Sequence, residues 1–128
     1  MNSILKTPRN IFQMIEEIVT ARPELLKTYH WHELPNGREA YVQDQIMDRD
    51  TAHCLAGWIV ALTPRAAEFE RLREDVDTYA NEILVNSGRK PIPVAIFMEL
   101  DDSETALKII RKRANEERGV PTEVNSVN

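Results

Sequence analysis

The chain has 128 residues, 42% of them apolar and 29% charged, with a formal net charge of −5. That length suits one domain with a proper core, the composition argues against a wholly disordered chain, and the acidic balance argues against a dedicated nucleic-acid binder. A single cysteine, Cys54, excludes an intrachain disulfide, while four glycines and 6% aromatics favour helix over sheet.

Thr7-Pro8 has the form of an N-cap followed by proline at the first helical position. Ile11, Phe12, Ile15, Ile18 and Val19 then share one helical face, which predicts a helix over 8–21 and one further turn over Pro23–Lys27. Residues 28–50 are the least regular. Tyr29, Trp31 and Leu34 alternate, and Pro35-Asn36-Gly37 is a strong turn signal, so the segment is either a small β-hairpin near 29–42 or an irregular loop.

The helical pattern returns at Thr51, with Asp50 or Thr51 as cap and Leu55, Trp58, Ile59 and Leu62 in one stripe. Ala52, Ala56 and Gly57 offer small surfaces for close helix approach. Thr63-Pro64 repeats the cap-plus-proline signature, and Phe69, Leu72, Val76, Tyr79 and Ile83 follow at alternating spacings of three and four. This predicts one long helix or two shorter ones over 64–86, ended by a left-handed Gly88. Its three basic and six acidic residues hold much of the chain's negative charge.

Pro91-Ile92-Pro93 breaks the chain, and Val94–Leu100 fits a short helix. Asp101 and Glu104 form a capping box before a last helix with Ala106, Leu107, Ile110 and Ala114 on its apolar stripe. The expected architecture is therefore mainly α: one bundle of about five helices over residues 1–118, with a disordered tail over 119–128. The longest nearly uncharged apolar stretch, Cys54–Thr63, is about half the length of a membrane span. With one free thiol and no leader-like N-terminus, a cytoplasmic location without membrane contact is expected.

Three groups of residues can carry chemistry. His30, His32, His53 and Cys54 combine imidazole and thiolate donors of the kind that suit zinc, although no recognised zinc spacing is present. Cys54 with His53 or His32 also resembles a nucleophile and base, and a place in the first helical turn would lower the thiol's pKa. The plainer reading makes Cys54 a small core residue and the histidines packing residues. Lys108, Arg111, Lys112 and Arg113 form a basic cluster on the last helix that can touch phosphates or simply complement the helix dipole. Asp44, Asp48 and Asp50 lack the glycine and glutamate of a calcium loop and suit a solvated, capping-rich approach. Phosphate loops, nucleophile elbows and His-Glu-x-x-His motifs are absent from the sequence.

The segment Thr51-Ala52-His53-Cys54-Leu55-Ala56-Gly57-Trp58 resembles the Thr-x-x-Cys-(Ile/Leu)-Ala-Gly-(Trp/His) helix of small helical proteins found in bacteria and phages. The resemblance covers about 15 residues and implies no activity. It implies a helical core over Cys54–Leu62, with Thr51 as cap, Gly57 permitting close packing, and Cys54 and Trp58 in the core. Arg49-Asp50 stands where that group carries Cys-Gly, which puts any role needing two cysteines in doubt. The function expected is that of a non-enzymatic interaction or regulatory protein that binds a protein partner or itself and needs no cofactor. Trp31, Tyr41, Phe97 and Met98 are the apolar residues that a small core need not absorb. The alternatives are a zinc- or thiol-dependent enzyme and a nucleic-acid binder through the basic helix.

Overall fold

The structure, a computed structural model, describes residues 7–27, 31–40, 42–66, 68, 76–93, 96–97 and 103–119. Among these are five α-helices: α1 (Ile11–Ala21), α2 (Gln43–Ile46), α3 (Leu55–Ala61), α4 (Val76–Asn86) and α5 (Ser103–Glu117). A 3-10 turn, Pro23–Leu25, follows α1, and a two-stranded antiparallel sheet joins β1 (His32–Glu33) to β2 (Ala52–His53). The mainly α fold with a small hairpin is the architecture the periodicity predicts. Among the described residues, no helix is long and apolar enough to cross a membrane.

Helix α3 is the centre of the fold. All seven of its residues are buried, as expected of a helix that is apolar on every side. It packs against α4, whose Val76, Tyr79, Ala80, Ile83 and Leu84 are also buried, while α1 packs most extensively on α5. Ile11, Phe12, Ile15 and Val19 of α1 join Ala106, Ile110 and Ala114 of α5 in the same core. The C-terminus of α4 closes as expected on Gly88, whose φ is +83°. Gly88 N donates to Val85 O and Arg89 N to Leu84 O, the paired bonds of a Schellman cap.

Several expected boundaries move. α1 starts at Ile11 rather than at Pro8, and its N-cap, Asn10, makes no side-chain cap bond. The carboxylate of Glu117, from the far end of α5, accepts from Phe12 N and Gln13 N at 2.9 Å each. A carboxylate at the positive end of a helix replaces the local cap, and nothing in residues 7–10 can reveal it. Thr63 likewise does not cap a following helix. Its hydroxyl donates back to Ile59 O at 2.8 Å, and Arg65 takes a left-handed φ of +69° before Ala66.

The largest change lies before α3. Residues 52–53 are strand rather than helix, so neither Asp50 nor Thr51 caps α3; Cys54 is its N-cap. The Thr51 hydroxyl instead donates to Gln45 O at 2.6 Å, closing the α2 loop. The Pro35-Asn36-Gly37 turn forms as expected, with Gly37 at φ +88° and Leu34 N donating to Arg38 O. Among the described residues its flanks meet at an isolated Glu33–Glu39 bridge, while β1 takes β2 as its partner. A two-residue hairpin arm is too short to stand alone, and β2 supplies the missing edge. Ile96 and Phe97 are helical, in keeping with a short helix there. Residues 69–75, the Asp101 cap, Tyr41, Met98 and the tail from 120 lie outside the described residues.

Candidate functional site

The sequence candidates separate. His32 and His53 are partners across the β1–β2 ladder and point at one another. Their Nδ1 atoms are 2.8 Å apart, with the two residues only 2% and 1% exposed. Two imidazole nitrogens on one tetrahedral zinc stand roughly 3.3 Å apart, given Zn–N bonds of about 2.0–2.1 Å. The observed approach is that of a hydrogen bond between one protonated and one bare nitrogen. Burial, and then the neighbouring His32, hold the His53 pKa well below its ordinary 6.5, against a backbone hydrogen bond with Trp31 that pulls it up.

Cys54 does not join this pair. Its Sγ accepts from Gly57 N at 3.5 Å, which turns the thiol toward the first turn of α3. The expected lowering of its pKa does not occur. Desolvation raises it to about 12, outweighing the Gly57, Ala56 and Cys54 N–H groups that favour thiolate. A thiol held protonated at neutral pH is a poor nucleophile and a poor metal ligand. His30 lies outside the described residues, and among the described residues no three His, Cys, Asp or Glu side chains converge as a metal site.

The pair is packed without slack. A Cβ on Gly57 would overlap the Trp31 carbonyl oxygen and come within 3.2 Å of His32 Nδ1. Gly57 therefore permits close approach, though of the chain leading into β1 rather than of another helix. The His53 ring meets Trp58 edge-on, with centroids 4.4 Å apart, and Trp58 Nε1 donates to Leu25 O at 3.0 Å. Lys27 N donates to His53 O at 2.9 Å, so β2 also holds the chain leaving the 3-10 turn.

His53 and Trp58 form part of the wall of a groove of about 630 Å³ between α1, the 3-10 turn, α2 and α3. Ile18, Leu25, Ile46, Ala61 and Leu62 make the wall largely apolar, and Met47 stands at it 46% exposed. Charged residues edge it: Glu17, Arg22, Asp48, Arg49 and Asp50. Arg22 is already bonded to Asp50 at 2.9 Å and Glu24 at 3.0 Å, which raises its own pKa, while Glu24 is lowered first by its own backbone N–H and then by Arg22. Asp48 and Asp50 thus serve the loop and the groove edge, with Asp50 N donating to Asp48 Oδ1. Sequence reasoning missed this groove. Its one local signal was Ile46-Met47, an apolar pair inside the polar stretch 43–50.

The basic cluster divides between two environments. Lys108, Arg111 and Lys112 are exposed, whereas Arg113 is half-buried, donating to Lys90 O at 2.7 Å and Pro91 O at 3.3 Å over the Phe12 ring. Burial lowers the Arg113 pKa, and Arg89 lowers it further against Glu116. A second cleft of about 660 Å³ contains Arg9, Arg89, Lys90 and Arg113. Its Arg89 is bonded to Glu117 Oε2, Ser87 Oγ, Pro8 O and Arg9 O. Those two guanidiniums bind the fold together through backbone carbonyls.

No protein-family model matches the chain, and neither a curated protein nor a solved structure matches it. Function is therefore argued from the geometry alone.

Proposed function

We propose that this chain is a non-enzymatic protein-interaction domain whose partner docks in the groove beside Met47. The carrying observation is an apolar wall open to solvent, of a volume within the range of recognition pockets and spanning five elements of the fold. Met47 is 46% exposed there, and an accessible methionine beside Leu25, Ile46 and Leu62 suits an adaptable apolar contact. Glu17, Asp48 and Asp50 outnumber Arg22 and Arg49 at the groove edge, Arg22 is already paired with Asp50 and Glu24, and the chain carries a net charge of −5. The partner that fits is an amphipathic segment with apolar anchors and basic neighbours. A thiol enzyme is disfavoured by the raised Cys54 pKa, and a zinc enzyme by the closed histidine pair.

The test places a photo-crosslinking residue at position 47 in the full chain, with position 108 as control. Adducts formed at 47, depleted by Leu62→Glu with unchanged thermal melting, support the reading. Equal adducts at 47 and 108, or none at 47, overturn it. An adduct of twice the chain's own mass makes the partner a second copy and replaces the heterologous occupant.

A further inference from the structure

The groove and the histidine pair share a residue. His53 forms part of the groove wall, bonds His32 through its ring, and holds Lys27 through its backbone carbonyl. Resting on the docking reading above, we propose that the His32–His53 pair is an acid-operated clasp that keeps the groove formed near neutral pH and releases its occupant on acidification.

An Nδ1···Nδ1 hydrogen bond at 2.8 Å needs one N–H and one lone pair. Doubly protonated rings present two N–H groups and two positive charges to each other at that distance, so the bond becomes a repulsion. Neither strand can slide to relieve it. Gly57 places α3 against the Trp31 carbonyl and close to His32 Nδ1, and the ladder fixes His32 opposite His53.

Among the described residues, no carboxylate acts on His53. On β1, Glu33 faces Lys27 from the end of the 3-10 turn at 3.8 Å. Glu39 follows the Pro35–Gly37 turn, and the N-cap of α3 contributes only the protonated Cys54 thiol. On the groove side stand Glu17 and Arg22 of the α1 end, and Asp48, Arg49 and Asp50 of the α2 loop. Among the described residues none of these carboxylates bonds to His53, whose polar partners are His32 and the Trp31 backbone. An imidazolium at His53 is desolvated and stands beside a second imidazole.

The direction of the pH effect follows. Above the ordinary histidine value of 6.5, His53 is neutral whether the clasp is closed or open, and the closed form has its full advantage. As pH falls below that value the opened imidazole takes up a proton and the closed one does not. Each pH unit, down to the depressed closed-state value of His53, then favours the open form by up to about tenfold. Opening frees β2 from Lys27 and removes the ring behind Trp58, so the Leu25 and Trp58 walls of the groove separate.

The experiment uses the full chain and its one thiol. Cys54 is partly exposed and adjoins His53, so clasp opening exposes it further. The probe is 4,4′-dithiodipyridine, which stays reactive in acid. Its rate with folded wild type is measured relative to the urea-unfolded chain at pH values from 7 to 5. The proposal expects this relative rate to rise about tenfold or more as pH falls. The double variant His32→Asn, His53→Asn keeps a side-chain hydrogen bond at the Nδ1 position without a titrating group and is expected to show a flat profile. The same rise in both proteins overturns the clasp.

Should the double variant fail to fold, the Cε1–H resonances of wild type decide. A His53 that titrates well below the free-histidine value, with backbone shifts at 52–53 moving together, supports the proposal. An ordinary titration with no backbone response overturns it. A thiol profile that shifts with EDTA overturns it in favour of a metal. Cross-linking at position 47 is then repeated at pH 7 and pH 5. Adducts lost in acid by wild type but kept by the double variant support release; adducts equal at both pH values overturn it. If position 47 gives no adduct at any pH, the docking reading fails, while the thiol and resonance readouts still decide the clasp.

Discussion

At the residue scale, Gly57 carries the sharpest constraint. Alanine is favoured over glycine inside a helix by about 1 kcal/mol, so the helix alone would prefer it. Here the new methyl would overlap the Trp31 backbone carbonyl, which has no rotamer by which to withdraw, and crowd His32 Nδ1. Overpacking of this kind costs typically about 1–3 kcal/mol, so the contact outweighs the propensity. Gly57→Ala is expected to lower the stability by about 2 kcal/mol in urea titration. A stabilised variant would mean that α3 and the chain before β1 are not in contact. Trp58→Phe keeps the ring edge against His53 but orphans Leu25 O, and an expected loss of about 1–2 kcal/mol is measured the same way. Cys54 makes a pH prediction. Its folded pKa of about 12 lies above the ordinary 9.0, so the unfolded thiol ionises first as pH rises. Stability should fall from about pH 9 toward pH 12, by at most about 1.4 kcal/mol per unit, and Cys54→Ala should remove that component from the alkaline melting curve.

At the element scale, the start of α1 is held by the end of α5. Glu117 accepts from two backbone amides of α1 and pairs with Arg89 at 3.2 Å, where the two side chains are 15% and 8% exposed. Glu117→Gln retains the shape but not the charge, leaving a half-buried guanidinium and a helix N-terminus without their anion. Its expected cost is about 2–3 kcal/mol in denaturant unfolding, with faster amide exchange confined first to residues 12–13. An unchanged midpoint would show that a residue of the N-terminal segment caps α1 instead. Helix α4 is joined to the chain after it by Asn81, which donates to Ile92 O and accepts from Ile92 N. Those two bonds do for residues 90–93 what a strand partner would do. Asn81→Ala is expected to cost about 2 kcal/mol, read as a lower Tm.

At the scale of the whole molecule, the helical class was legible because amphipathic periodicity is local. The stripes of α1, α3, α4 and α5 each bury the face their spacing marks out, and Gly88 ends α4 as a left-handed cap. The strand at 52–53 was not legible. Ala52 and His53 precede an apolar stripe and carry no alternation of their own, so the local pattern extends the helix through them. What makes them strand is the arrival of β1 from about twenty residues earlier, an interaction no window around Thr51 contains. The candidate site divides in the same way. His32 and His53 were recognisable as chemistry-bearing residues, but spacing could not say that their Nδ1 atoms would meet or that Cys54 would turn away. The groove beside Met47 was harder still, because its wall is drawn from five elements and each contributes only a few residues.

The sequence by itself determined the mainly α class, the turn at Pro35–Gly37, the end of α4 and the burial of α3. Each rests on torsional preference or on hydrophobic period within one or two turns of chain. Only the tertiary structure decided which distant groups complete those elements. Glu117 caps α1, β1 converts residues 52–53 to strand, and the pairing of His32 with His53 is set beside the groove. The physical reason is common to all three. Orphaned amides, strand edges and buried imidazoles each require a partner, and the residue types announce the need without saying where in the chain it is met.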